Sequence, residues 1–351
     1  MKSRLVALLL VLTLVLVGCG SQTAETPEQV VVETPAQENS EEPEENEDEK
    51  ILEKIDIQVG ALRGPTGMGM VQMMDRADKG LADMNYHFEL VGSPDEMVGK
   101  IINGELDIAA VPTNMALLLH NRTEGAVQLA AVNTLGVLYL VENGDTIQSM
   151  EDLRGQTVNT SGKGASPDFV FRHLLESNHL IVDEDVQLDY NLQHADLAAA
   201  LVEGDVEMAL LPQPHVTSAL MRNSDLRVAL DITEEWAKIH GAGSELAMGV
   251  IIVQKEFADN HPEALEAFLK EYEASVEFVN QEVDDAAELI AHYGILPQAG
   301  IAKASIPLSN IVFIDAMAAR ERLDAFYRIL YDFEPQSIGG KLADDAFYYK
   351  R

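Results

Sequence analysis

"SPDEMVGKIINGELDIAAVPTNMALLL" (residues 93–119) and "QHADLAAALVEGDVEMALLPQPHVTSALM" (residues 193–221) follow one plan. Each is a short helical pattern closed by a glycine-containing turn, then an acidic residue, an apolar run, a proline and a second helical pattern. Gly104 and Asp107 precede "IAAVPTN" in the first stretch; Gly204 and Glu207 precede "MALLPQP" in the second. A strand that passes through proline into a helix, met twice, predicts two similar lobes, each offering a loop to the same place.

Outward from these stretches the alternation continues. "IDIQVGAL" (55–62) and "YHFELV" (86–91) read as strands around a helical "GMVQMMDRADKGLADM" (69–84), and Ser93 is expected to cap the next helix with Pro94 in its first turn. "VQLAAVNTLGVLYLVE" (127–142) reads as strand. A second series follows, with strands at "QTVNT" (156–160), "VQLDYNL" (186–192) and "DLRVALDI" (225–232) between helical patterns. Such alternation predicts an α/β fold in which each lobe is a mixed, mostly parallel sheet flanked by helices. The last third reads as a strand, a long amphipathic helix with Pro262 at its start, and helical turns around a proline-containing loop. It is placed back on the first lobe. The expected divisions are 51–138 for the first part of lobe 1, 139–240 for lobe 2 and 241–351 for the return to lobe 1.

With 351 residues, 47 % of them apolar, the chain can bury a sizeable core. Its 59 acidic against 24 basic residues give a net charge of −35. A surface that negative repels phosphate backbones, which argues against nucleic acid as a partner. The single cysteine, Cys19, excludes an intrachain disulfide and a thiolate metal cluster. It closes "MKSRLVALLLVLTLVLVGC" (1–19), where two positive charges precede an apolar run too short to span a bilayer comfortably but suited to a signal-peptide core. This segment resembles a bacterial lipobox, which makes 1–18 a signal peptide and Cys19 a lipidated N-terminus. Residues 20–50 carry eleven acids and one lysine and almost no large apolar side chain. Such a stretch cannot offset its ordering entropy, so 19–50 is expected to be an extended, disordered tether.

A lipobox, an acidic tether and two α/β lobes, with "DLRGQTV" (152–158) opening the second, together resemble an ABC-transporter solute-binding lipoprotein. The similar branch is the taurine/nitrate/thiamine-precursor type, whose "DLKGK" turn corresponds to Asp152, Leu153, Arg154 and Gly155. "LVEGDVEMALLPQP" (201–214) matches that branch's glycine, acid, apolar strand and proline junction. The resemblance runs from residue 55 to the end. It implies a two-lobed periplasmic-binding-protein type II fold, a small-molecule ligand in the cleft between the lobes, hinge closure, and delivery to a membrane permease with its ATPase. It further implies a monomer without cofactor, held by a multi-acylated, palmitate-bearing N-terminus on the extracytoplasmic face of the cell membrane.

On that frame four loops at strand carboxyl ends become ligand loops. "ALRGPTGMGM" (61–70) hands a strand to a helix through three glycines, so backbone N–H groups can face a ligand with no Cβ in the way. It supplies Arg63, Pro65, Thr66, Gly67 and Met68, the last either a ligand contact or a core methionine. Thr113 and Asn114 form the second loop, where helix capping is the plain alternative for the amide. "TSGKGASP" (160–167) supplies Ser161, Gly162, Lys163, Gly164 and Ala165; it lacks the Walker A spacing, and Lys163 reads equally well as a solvated lysine. Gln213 and His215 follow the second proline. Trp236, the only tryptophan, either stacks on an aromatic ligand or packs at the hinge.

Nine histidines show no His-x-His or His-Glu-x-x-His arrangement, and Gly-x-Ser-x-Gly is absent, so neither a zinc site nor a catalytic residue is expected. An enzyme on the same scaffold, of the menaquinone- or pyrimidine-pathway kind, is the rival reading; the lipobox opposes it. A lipoprotein presenting its ligand to a sensor differs only in partner. The loops carry hydroxyls, amides and methionines but few cations, which favours a neutral or weakly anionic ligand, aromatic or heterocyclic.

Overall fold

The structure, a computed structural model, describes residues 53–241 and 244–351. The signal segment, Cys19 and the acidic linker to residue 50 lie outside the described residues. Eleven strands form two sheets. The first has β1 (Asp56–Leu62), β2 (Asn85–Val91), β3 (Ile108–Pro112), β4 (Val127–Thr134), β10 (Gly249–Gln254) and β11 (Ile311–Asp315), in the order β11-β4-β10-β3-β1-β2. The second has β5 (Leu138–Asn143), β6 (Thr157–Asn159), β7 (Gln187–Asp189), β8 (Met208–Pro212) and β9 (Leu226–Asp231), in the order β7-β6-β8-β5-β9. β3 is apolar and buried at every position, as a central strand with both faces covered requires.

Both sheets are mixed, but less parallel than the alternation predicts. Of the nine strand pairs, four are parallel and five antiparallel. The reason lies in the crossings between sheets. Only three residues separate β4 from β5, which belong to different sheets. β5 therefore enters the second sheet where its neighbours β8 and β9 end, and runs the opposite way. β10 re-enters the first sheet in the same manner between β3 and β4, with Gly249 beside Pro112 and Thr134. Two crossings at one end point the carboxyl ends of β1, β3, β4, β6 and β8 toward one gap.

Apolar residues sort accordingly. Ile57, Val59 and Ala61 of β1 join Met68, Met70, Phe268 and Tyr272 in one core cluster, while Leu197, Leu201, Leu211 and Val216 fill another against the second sheet. Met68 is fully buried there, so of its two sequence readings the structure takes the core one.

Three local expectations differ from what is seen. Ser93 does not cap; Pro94 occupies the N-cap position of helix Asp95–Ile102, and the Glu96 carboxylate accepts the N–H groups of Gly92 (3.1 Å) and Ser93 (2.8 Å). The long C-terminal helix starts at Pro262 as expected but ends at Gln281; after Glu282 a separate helix, Val283–His292, follows, and a short helix, Lys255–Asn260, precedes it. "IVFID" (311–315), expected as part of helical turns, is β11, an edge strand that Asp315 converts into the 18-residue helix Ala316–Phe333 by accepting the Met317 N–H at 2.8 Å. Among the described residues no helix is long and apolar enough to cross a membrane.

Candidate ligand cleft

Where the strand ends meet, the two sheets enclose a cavity of about 130 Å³. The first sheet contributes Arg63, Gly64, Pro65 and Thr66 from the loop after β1, Pro112 at the end of β3 and Thr134 at the end of β4. From the second come Gly162, Ala165 and Pro167 of the glycine-rich loop, His194, and Pro212, Gln213 and His215 after β8. Thus Arg63, Pro65, Thr66, Gly162, Ala165, Gln213 and His215, scattered between positions 63 and 215, share one wall. Prolines 65, 94, 112, 167 and 212 ring it.

The other candidate residues stand off the wall, each for a visible reason. A Cβ on Gly67 would meet the Leu62 carbonyl oxygen at 2.6 Å, so this glycine permits the tight turn. Thr113 is buried, and its carbonyl accepts the Tyr327 hydroxyl at 2.9 Å. Asn114 is fully buried: its Nδ2 donates to the carbonyls of Gly164 and Ser337, both at 3.1 Å, and its Oδ1 accepts from Ser166. Gly164 donates its N–H to Asp168 at 2.8 Å. Lys163 turns its Nζ onto the Tyr190 ring, 5.0 Å from the centroid. Ser161 supports the wall from behind through a hydrogen bond to His194 Nδ1. Trp236 is buried against His240 (ring centroids 4.2 Å), His173 (5.7 Å) and Phe326 (5.7 Å), between helices Ser166–Ser177, Ile232–His240 and Ala316–Phe333. That is the packing position of its two sequence readings.

Seven wall residues escaped the sequence: Gly92, Pro94, Thr134, Val137, His194, Met248 and Gly249. Thr134 and His194 sit after strands, where the strand-end rule reaches, but no motif marks them. Met248 and Gly249 precede β10, a strand that starts at the cleft, so a rule about carboxyl ends passes over them.

Five helices of eight or more residues direct their amino ends at this cavity, with Pro94, Pro112 and Ala165 at N-cap positions and His194 and His215 as first helical residues. Arg63 is exposed on the wall, and among the described residues no carboxylate lines it. Burial, with neighbouring His215 adding to it, pushes His194 down to about 3; burial alone pushes His215 down to about 4. Both imidazoles are therefore neutral near pH 7 and offer N–H donors without charge. A larger open hollow of about 490 Å³ beside helix His194–Glu203 is rimmed by Asp189, Asp196, Glu203 and Asp205, with Asn159 and Asn191 next to them. Among the described residues no three His, Cys, Asp or Glu side chains gather as a metal site.

This arrangement, a cleft of donors between two α/β lobes, is shared with known proteins. The family described as "ABC transporter, phosphonate, periplasmic substrate-binding protein" matches residues 72–299, and the chain belongs to it. Its members bind substrate for a membrane transporter rather than transform it. The chain is similar in fold to an ABC transporter protein from Parabacteroides distasonis (23 % identity, TM-score 0.70, 84 % of this chain and 99 % of that one). It is similar as well to the periplasmic aliphatic sulphonate binding protein from Escherichia coli (17 %, TM-score 0.66, 84 % and 92 %) and to the alkanesulfonate-binding protein from Xanthomonas axonopodis pv. citri bound to MOPS (13 %, TM-score 0.63, 83 % and 96 %). No curated protein matches the chain in sequence. The protein is the extracytoplasmic substrate-binding component of an ABC importer.

Proposed function

We propose that the chain captures a compact solute with an apolar body and one weakly anionic or strongly accepting head, and passes it to a permease and its ATPase. The observation that carries this reading is the wall itself: prolines, Leu62, Val137 and Met248 surround a body, while Arg63, Thr134, Gln213 and the two histidines supply donors beside Thr66, and among the described residues no carboxylate opposes them. The volume is below the usual span for drug-sized ligands, which favours a small aromatic, heterocyclic or short aliphatic body. Lobe 1 is 51–138 with 241–351 and lobe 2 is 139–240. Closure is favoured only by contacts the ligand makes better in the closed state. A lipid on Cys19 holds the protein at the membrane, residues 20–50 serve as tether, and the chain works as a monomer that catalyses nothing.

A thermal-shift screen of the chain against sulfonates, phosphonates, aromatic carboxylates and pyrimidines tests it. A ligand at 100 times its Kd adds about 2.7 kcal/mol, and that gain is expected to shrink in Arg63→Ala and Thr66→Val. A hit indifferent to both substitutions, or a folded protein with no hit in any class, overturns the reading. Lipidation is checked separately: Cys19→Ser is expected to release the protein from membranes.

A further inference from the structure

His194, which no motif marks, meets the expected His215 in the cleft. Their rings stack with centroids 5.6 Å and planes 25° apart, and both line the cavity. Each opens a helix, His194–Glu203 and His215–Arg222, where peptide dipoles favour negative charge. Two observations independent of those helix ends also call for an acceptor. Thr134, 3 % exposed and on the same wall, has a hydroxyl with no hydrogen-bond partner among the described residues. Gln213, 2 % exposed, spends its Oε1 on the Thr217 N–H (3.3 Å) and hydroxyl (2.8 Å), which leaves its amide N–H groups for the cavity. The Ser161 bond to Nδ1 of His194 likewise leaves Nε2 free, and a Cβ on wall residue Gly162 would stand 3.9 Å from it.

We propose that His194 and His215 set which solutes the cleft accepts: an uncharged imidazole pair that receives a single oxyanion head, sulfonate or phosphonate, and binds a proton together with it. This rests on the reading of the cleft as the ligand site. Burial keeps both rings neutral when no anion stands against them. An oxyanion set against them places an opposite charge within a few ångströms, which favours the imidazolium and draws one proton from solvent onto a ring nitrogen. Among the described residues the charged side chain on the wall is Arg63, and no carboxylate there competes for the proton. Lys163 is held on Tyr190, whose hydroxyl donates to Asp168 at 2.5 Å, and Asp168 also takes the Gly164 N–H, so this lysine and this acid answer to each other's neighbours rather than to the histidines.

The test is titration calorimetry of the chain with methanesulfonate and with methylphosphonate near pH 6, in two buffers of different ionisation enthalpy. Uptake approaching one proton per anion is expected, with Kd rising up to about tenfold per pH unit above pH 6. His215→Gln keeps an N–H donor but cannot titrate; it is expected to bind more weakly and with reduced proton uptake. Binding without uptake, or uptake unchanged in a His194→Gln/His215→Gln double variant, overturns the proposal. So does a cleft that binds a neutral pyrimidine and neither anion, an outcome that leaves the cleft as ligand site. Anion binding that survives Pro94→Trp, which fills the cavity from its partly exposed rim, or absence of binding by every probe, overturns the cleft reading and the proposal with it.

Discussion

Asn114 and Ser166, 52 residues apart, are bonded twice: the Asn114 N–H donates to Ser166 Oγ at 2.9 Å, and the Ser166 hydroxyl donates to Asn114 Oδ1 at 2.9 Å. Asn114 is the second residue of the helix after β3, in the first sheet, and Ser166 opens the helix after the glycine-rich loop, in the second. With two carbonyls taking its Nδ2, Asn114 ties both lobes to the C-terminal turn at Ser337.

Asn114→Ala is therefore expected to act on stability. It leaves the Gly164 and Ser337 carbonyls and the Ser166 hydroxyl short of partners in a fully buried place, a loss of about 2–4 kcal/mol. Urea unfolding measures it. Loss of ligand affinity with an unchanged midpoint would return Asn114 to the ligand wall.

Gly67→Ala is expected to cost about 1–3 kcal/mol, since the new methyl would stand 2.6 Å from the Leu62 carbonyl oxygen, a backbone atom with little room to move. The same change should loosen the Thr66 turn, whose hydroxyl meets Leu62 N and O at 3.3 and 3.4 Å. A midpoint within error of the parent would show that the turn relaxes freely.

Acid should weaken the ligand-free fold before the carboxylates titrate. His194 and His215 are depressed in the folded chain, to about 3 and about 4, while the unfolded chain binds protons from about 6.5 downward. The unfolded state thus holds more protons in the interval between, and stability falls as pH falls from 6.5 toward 4, at up to about 1.4 kcal/mol per histidine and pH unit. Combining His194→Gln with His215→Gln should reduce this slope between pH 6.5 and 5. It will not abolish it, because burial also lowers His173 and His240. An unchanged slope in urea midpoints would mean that the pair is not buried as described.

Trp236→Phe should leave ligand affinity intact and cost about 1–3 kcal/mol of stability, because the indole packs on His240, His173 and Phe326 and lies off the cavity wall. A selective loss of affinity for aromatic ligands, measured by calorimetry, would place the ring in the site after all.

Much of the fold is written locally. The period of "IDIQVGAL", the wholly apolar "IAAVP" and the Gly204 turn before β8 each announce an element without help from elsewhere. β11 was not legible: five residues that look like a helical lead-in become an edge strand only because Ile311 finds Thr134 beside it. The cleft follows the same division. Loops at strand ends are local features, so Arg63, Thr66, Gly162 and Gln213 could be picked out singly. Whether a loop residue faces the gap or turns to its neighbours depends on partners distant in sequence, as Lys163 on Tyr190 and Asn114 on Ser166 and Ser337 illustrate.

By itself, the sequence determined the alternation of strands and helices, the repeated strand–proline–helix junction and the poverty of cations in the loops, because these depend on periodicity and composition along a short stretch. Only the tertiary structure decided that Thr134, His194, His215 and Gly249 share one wall on which no carboxylate of the described residues lies. Solvation is the physical reason: a hydroxyl or an imidazole has one chemistry in water and another when two sheets close over it, and burial is a property of the closed pair of lobes rather than of any segment.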